Sequence, residues 1–389
     1  MSDFNVLFPY EEKNSSSSAE ERIAIIKVIG VGGGGGNAVN RMIEMGVGGV
    51  DFYAVNTDAH VLRKSKAENK IQIGEDLSQG KGVGADPALG KQAAEESREY
   101  LKDIVAGADM VIITAGMGKG TGTGASPVIA QIAREAGILT LGVVTTPFDY
   151  EGAVRMKQAV SGIKNLRKYT DALIVISNEK VYGSLDSNTS LTGQFRMIDD
   201  VLRQTIQTIT DIITIPGEVN LDFNDVKKVL EDSKEVLIGN ADAVGDDHIA
   251  AVHKAISHPM LEEFDTLQSE KAIINLTSNP NYPAEKIRGI YEIIKDKFNM
   301  QGEIFSGNTY DSLLDDKTVK IAIIATGIKR DEEENNYRGE DDSDDLLDGF
   351  ETSGSQRDLP LNNPLLGIDP DTPAYKNKMW NRKFRNKKY

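Results

Sequence analysis

The 389-residue chain contains no cysteine, so neither disulfides nor thiolate metal sites can hold it together, and a reducing, cytoplasmic setting is the expectation. No uninterrupted apolar stretch approaches the roughly 20 residues of a membrane-spanning helix. The hydrophobic share of 39% suits globular packing. Basic residues are outnumbered: 44 Lys and Arg stand against 60 Asp and Glu, a net charge of −16. That balance opposes non-specific nucleic-acid binding by the body of the protein, because neutralising phosphates needs clustered cations. No internal repeat is found. His248, His253 and His258 are five apart, a spacing that does not align ligands on a helix, and with His60 they are expected at ordinary surface or satisfied positions rather than at a metal. There is no G-x-x-x-x-G-K-[ST] loop either, since Lys119 is followed by Gly120, which excludes an ordinary P-loop nucleotidase.

Glycine, by contrast, is concentrated where strands give way to helices. The run Gly116 to Gly124 follows the apolar stretch Met110 to Thr114 and precedes the helix-like Ser126 to Ala133. A second run, Gly30 to Gly36, ends the apolar stretch Ile23 to Ile29 and opens a helical pattern at Ala38. Each order presents free N–H groups at a helix N-terminus, where the macrodipole favours negative charge, so a phosphate is the natural guest. Thr121 and Thr123 add hydroxyl donors. Two such loops in one parallel sheet call for one elongated ligand. Gly30, Gly32 and Gly35 also satisfy G-x-G-x-x-G, but inside five consecutive glycines that dinucleotide fingerprint is weak, and hydride transfer gives no reason for the second loop.

From Ile23 to about Ile176, short apolar strands at Ile23 to Ile29, Asp51 to Val55, Met110 to Thr114, Leu139 to Thr145 and Ala172 to Ile176 alternate with helices. The pattern predicts an α/β fold of Rossmann type, a parallel sheet covered on both faces with ligands at the carboxyl ends of its strands. Asn56, Thr57 and Asp58 and the loop Lys81 to Asp86 are expected at the same rim. Residues 1–22 read as a disordered lead and 23–190 as the nucleotide domain. Apolar residues at spacings of three and four predict a central helix over 191–215, stopped by Pro216 and Gly217 and buried between two domains. A second α/β domain over 216–328 is expected to hold strands at Lys271 to Leu276, Glu303 to Ser306 and Val319 to Ala325, with helices at Asp247 to Ile256 and Ala284 to Lys297. Residues 329–370 read as an acidic disordered linker, whose stretch Asp331 to Glu351 holds eleven acids against Arg338. Residues 371–389 reverse the sign, with Lys376, Lys378, Arg382, Lys383, Arg385, Lys387 and Lys388 among aromatic side chains.

With Gly118-Lys119-Gly120-Thr121-Gly122-Thr123-Gly124 in the position of the tubulin signature, the chain resembles the FtsZ family, the tubulin-like GTPases of the bacterial division ring, over about Ile23 to Ile328. The resemblance implies GTP or GDP with Mg²⁺ as ligands, Gly33, Gly34, Gly35, Gly36 and Asn37 together with Gly120, Thr121 and Gly122 around the phosphates, and Glu151 and Arg155 close to the nucleotide. Phe195 and Asp199 would hold guanine. As residues four apart on a helix they share a face, an aromatic plane beside a carboxylate suited to guanine's N1–H and N2–H₂ donors. Asn220, Asp222 and Asp225 match the family's Asn-x-Asp-x-x-Asp loop, which implies catalysis on the nucleotide of the next subunit and a head-to-tail homopolymer. Division-ring membrane adaptors at the C-terminal peptide, an anionic bilayer under the basic tail, and a mid-cell cytoplasmic location follow as further expectations, with no nucleic-acid partner.

Plainer readings stand beside these. Phe195 can be core and Asp199 solvated, Glu151 and Arg155 a surface ion pair, and Asp222 or Asp225 the cap of a helix from Val226. The whole can be a tubulin-like scaffold or plasmid-moving polymer with weak GTPase activity. Three features depart from the family: Lys119 stands in place of a glycine, Thr146 in place of a basic residue, and Lys376-Asn377-Lys378 after Asp371 to Tyr375. A lysine at 119 is strained if the family's glycine there has positive φ.

Overall fold

The structure, a computed structural model, describes residues 24–183, 189–215, 217, 221–244, 250, 252, 255, 269–297 and 302–326. The lead, the acidic linker, the C-terminal peptide, His248, His253, His258 and most of the helix expected at Asp247 to Ile256 lie outside them.

In chain order the first half runs β1 (Ile26–Val31), α1 (Gly32–Glu44), β2 (Asp51–Asn56), α2 (Ala59–Lys64), β3 (Asn69–Gln72), α3 (Glu75–Ser78), α4 (Pro87–Glu96), α5 (Arg98–Val105), β4 (Met110–Gly116), α6 (Gly120–Glu135), β5 (Leu139–Thr146), a 3₁₀ turn at Asp149–Glu151, α7 (Ala153–Arg167) and β6 (Ala172–Ser177). After α8 (Asn178–Gly183) and the central helix α9 (Leu191–Thr214) come α10 (Phe223–Leu230), β7 (Lys234–Val244), β8 (Lys271–Ser278), α11 (Ala284–Lys297), β9 (Glu303–Tyr310) and β10 (Thr318–Thr326).

Strands β3-β2-β1-β4-β5-β6 form the expected parallel sheet in that spatial order. Because β1 leads outward to β2 on one side and the chain later returns to its other side as β4, the order reverses between β1 and β4. In an open α/β sheet that reversal leaves a crevice at the carboxyl edge. The two central strands read Ile-Lys-Val-Ile-Gly-Val and Met-Val-Ile-Ile-Thr-Ala-Gly, and burial on both faces of the sheet requires such near-continuous apolar runs.

The sheet does not stop at β6. Ala172 and Leu173 pair with Lys234 and Glu235, so β7 joins the parallel half to a mixed half ordered β7-β10-β8-β9. Helix α9 lies across this junction. Its Ile198, Leu202, Ile206, Ile209, Ile212 and Ile213 enter the same core as β1, β4 and β5 and as Leu221, Val226 and Val229 beyond it. Each fully buried side chain of this kind contributes roughly 1.5–3 kcal/mol of transfer free energy, which makes α9 a spine shared by both halves.

Two expectations about element starts need correcting. Helix α1 begins at Gly32 and α6 at Gly120, inside the glycine runs rather than after them. The strands β3 and β7 are additional to those read from the sequence.

Candidate functional site

Both glycine runs lie at the β1/β4 reversal, and their backbones touch. A Cβ on Gly32, whose φ is +72°, would stand 2.9 Å from the amide nitrogen of Gly122, and one on Gly34 would stand 3.0 Å from that of Gly116. Gly35 is turned inward, with Thr114's carbonyl oxygen 2.2 Å from its Cβ position. Only backbone without side chains can pack this closely, which brings the N-termini of α1 and α6 side by side. Gly33 and Gly36, in contrast, have no atom of the described residues within 4 Å of their Cβ positions. Gly33 lies in the first turn of the helix, where unpaired N–H groups and the dipole attract an anion, and Gly36 one turn on leaves the approach clear.

Hydrogen bonds fix the second loop. Thr121 and Thr57 share a 2.8 Å hydroxyl contact, so the end of β2 is tied to the start of α6. Gly118 donates its N–H to the Thr123 hydroxyl at 2.9 Å. The positive φ of this loop falls on Gly118, at +95°. Lys119 has φ −119° and ψ −175°, ordinary extended backbone at the N-cap of α6, so the strain anticipated for a lysine there does not arise. Its side chain is exposed.

Glu151 and Arg155 form an ion pair, and Glu151 also accepts the Phe148 N–H at 3.2 Å. Gly118 packs against the backbone carbonyl of Arg155, which sets this pair beside the second loop. Phe148, missed in the sequence, organises the neighbouring wall. It is buried, stacks on Tyr150 at 4.9 Å between centroids, and meets the edge of Phe195 at 5.6 Å. Phe195 itself is 45% exposed, so it is not a core residue.

One turn along α9, Asp199 is largely buried. Its carboxyl is pushed up to about 7 by that burial, against the pull of the Arg41 guanidinium and with a push from Asp200. Arg41 comes from α1, one turn beyond Asn37, and its Nε lies 3.4 Å from Asp200, which Arg203 also grips at 3.0 Å. Sequence reasoning missed Arg41 because only the docking of α9 on α1 creates the contact. An aromatic face, a carboxyl and two helix N-termini thus line one rim.

Asp222 and Asp225 are elsewhere. They cap α10 reciprocally: the Asp225 N–H donates to Asp222 Oδ1 at 2.9 Å, and the Asp222 N–H to Asp225 Oδ2 at 3.2 Å. One carboxylate oxygen of each remains outside this box. Helix α9 starts beside Phe148, at the carboxyl edge of β5, and ends where Thr214 meets Gly49, just before β2 begins at the opposite edge of the sheet. Its 24 residues span about 36 Å. Asp222 and Asp225 follow its far end, so they do not reach the glycine loops of their own chain. Asn220 lies outside the described residues.

These features agree with known proteins. Residues 25–186 match the model of the Tubulin/FtsZ family GTPase domain, and residues 233–329 match that of the FtsZ family C-terminal domain. The chain belongs to the FtsZ family. An empty FtsZ dimer from M. jannaschii is 36% identical over 78% of this chain and 88% of that one, with a TM-score of 0.71. A tryptophan-to-tyrosine variant of M. jannaschii FtsZ is 37% identical over 78% and 91% of the two chains, at 0.73. CetZ2 from Haloferax volcanii, a GTPγS-bound protofilament, shares the fold at 20% identity, covering 85% of this chain and 98% of its own at 0.67. The N-terminal half is therefore a GTPase domain of this family, and the tubulin/FtsZ fold continues into a second domain with a mixed sheet.

Proposed function

We propose that the chain is a GTP-hydrolysing cell-division protein that polymerises head to tail into the filaments of the division ring. The observation that supports this is the separation of two half-sites by α9: an anion cradle with an aromatic and acidic wall at one end, and the carboxylates of α10 beyond the other. When a second copy stacks on the first, the contact is head-to-tail and need not close, so an unfilled end remains at each terminus and a filament grows. The M. jannaschii dimer and the CetZ2 protofilament support self-association as a habit of such chains.

In this reading Gly33, Gly34, Gly35, Gly36 and Asn37 of α1 and Gly120, Thr121 and Gly122 of α6 hold the phosphates through backbone N–H groups and helix dipoles. Arg155, braced by Glu151, adds positive charge. Phe195 stacks on guanine while Asp199 accepts from its N1–H and N2–H₂ groups. Asn220, Asp222 and Asp225 from the adjoining subunit orient the attacking water at the γ-phosphate, so hydrolysis needs assembly and positioning carries most of the catalysis. No group of three or more His, Cys, Asp or Glu placed to hold a metal ion exists among the described residues. Mg²⁺ nonetheless fits, since it takes one or two carboxylates plus substrate phosphates, and the free oxygens of Asp222 and Asp225 supply them. When bound, Mg²⁺ would neutralise phosphate charge. The domain division at 23–190, 191–215 and 216–328 belongs to the same reading. So do the acidic linker, adaptor binding through 371–389, contact of the basic tail with an anionic membrane, and a mid-cell cytoplasmic location.

The test is phosphate release against protein concentration, with electron microscopy of the same samples. A rate per subunit that rises steeply once filaments appear supports the reading. Filaments with negligible turnover identify a scaffold, and turnover independent of concentration removes the shared site.

A further inference from the structure

A cavity of about 590 Å³ opens between α4, α6 and α7, apart from the rim described above. That volume is within the range of small-molecule sites, whereas the 150 Å³ hollow beside Gly32, Gly36 and Asn37 is below it. Its charge is unexpected for a chain with a net charge of −16. Lys91 from α4, Lys157 from α7 and Lys168 just past α7 line it, and among the described residues no Asp or Glu does. None of the three lysines takes part in an ion pair among the described residues. Among the described residues Lys168 reaches the Asn165 side chain, at 3.3 Å.

A second observation points the same way. Gln158, also in the lining, donates its amide to the Ala85 carbonyl at 3.2 Å, while its Oε1 is buried and unpartnered. Flipping the amide would put oxygen against the Ala85 carbonyl, so the hydrogen bond fixes which atom is left over. A buried acceptor without a donor is costly; Oε1 lies just beneath the groove surface, and a donor in the groove reaches it when the half-buried Gln158 side chain turns outward. Pro87, Pro127 and the Tyr169 ring supply apolar wall between the charges.

We propose that this groove binds a small organic polyanion carrying a hydroxyl group, its negative charges held by Lys91, Lys157 and Lys168 and its hydroxyl donated to Gln158 Oε1 as that side chain turns toward the ligand. Lysine acts as a flexible point charge and serves carboxylate and phosphate alike. A hydroxy-polycarboxylate and a phosphorylated hydroxy acid therefore share the required chemistry. The floor of the groove includes Thr123, whose hydroxyl holds the Gly118 N–H of the second glycine loop. The bound anion thus rests on the back of the helix whose first turn faces the rim.

The experiment is calorimetric titration of the full-length, GDP-saturated chain with citrate and, separately, with 3-phosphoglycerate, in wild type, in Lys157→Met/Lys168→Met and in Gln158→Leu. Both lysines are exposed, so the double variant keeps its fold. Saturable binding of at least one probe is expected, weakened roughly tenfold or more by the double variant and about threefold by Gln158→Leu. Thermal melting points should be unchanged or, for Gln158→Leu, raised. Binding of citrate alone assigns a carboxylate ligand, and binding of 3-phosphoglycerate alone assigns a phosphorylated one. The proposal is overturned if neither probe binds saturably, or if binding is indifferent to the lysines, which would place it at the glycine loops. It also falls if only a peptide of Asp331 to Glu351 binds in a lysine-dependent way, which would assign the groove to the chain's own acidic segment.

Discussion

The backbone carbonyl oxygen of Arg155 stands 2.8 Å from the point where Gly118 would carry a Cβ. With φ at +95° as well, Gly118 is the constrained residue of the second loop, and Lys119 beside it is not. Gly118→Ala should destabilise the protein by about 1–2 kcal/mol from the backbone alone, with the contact adding to that. Lys119→Gly relieves nothing and should leave the melting point unchanged or slightly lower, because glycine enlarges the unfolded ensemble. Thermal melts of both variants check this, and a stabilised Lys119→Gly would refute it.

Most of the parallel sheet was legible because β1, β4, β5 and β6 are runs rich in β-branched and other apolar residues. Where the sequence misleads, the reasons are local. Glycine has poor helix propensity, so Gly32 to Gly36 and Gly120 to Gly124 read as loops, although they form the first turns of α1 and α6. Strand β3 has four residues, three of them polar, and β7 begins with Lys234 and Glu235 and carries Gly239, Asn240 and Asp242 among its apolar residues, so neither shows clean alternation. Phe195 and Asp199 could be paired from helical spacing alone. Phe148 and Arg41 could not, because the partners that place them at the site, Phe195 and Asp200, lie on α9 far along the chain.

Asp199 should give the protein a measurable pH signature. Its carboxyl titrates at about 7 in the fold against 3.8 when solvated. Between about pH 4 and about pH 7 the unfolded chain has released this proton while the folded chain retains it, so the contribution to stability is full at low pH and is lost as pH rises through 7. Without nucleotide, wild type should lose more stability over that window than Asp199→Asn, which cannot titrate. Guanine needs the ionised form, so GTP affinity in wild type should rise through pH 7. Asp199→Ala should cost on the order of 1–3 kcal/mol in that affinity. A wild-type melting curve parallel to that of Asp199→Asn would remove the buried carboxyl from this account.

Asp222 serves two roles that substitution can separate. It caps α10, so Asp222→Ala should cost about 1 kcal/mol of stability. Asp222→Ser restores a capping oxygen without the carboxylate, and should recover most of that stability yet hydrolyse GTP no faster than the alanine variant. Both should bind GTP normally and slow turnover when mixed into wild-type filaments. Wild-type turnover by Asp222→Ser would reduce Asp222 to a cap.

The two kinds of glycine in α1 make opposite predictions. Gly35 lies against the Thr114 carbonyl oxygen, 2.2 Å from its Cβ position, so Gly35→Ala must push α1 off β4 and should lower the melting point sharply. Gly33 and Gly36 meet no atom of the described residues within 4 Å, and neither has a positive φ. Within a helix, replacing such a glycine by alanine gains up to about 1 kcal/mol of propensity. Gly33→Ala and Gly36→Ala should therefore hold or raise stability in the absence of nucleotide. If the space before them is where phosphates approach the backbone, the added methyl groups crowd it, and GDP and GTP affinities should fall while the fold gains. Calorimetric titration beside thermal melts reads both quantities on one sample. Unchanged nucleotide affinity in a stabilised Gly33→Ala/Gly36→Ala double variant would move the phosphates away from the first turn of α1 and leave the cradle to α6.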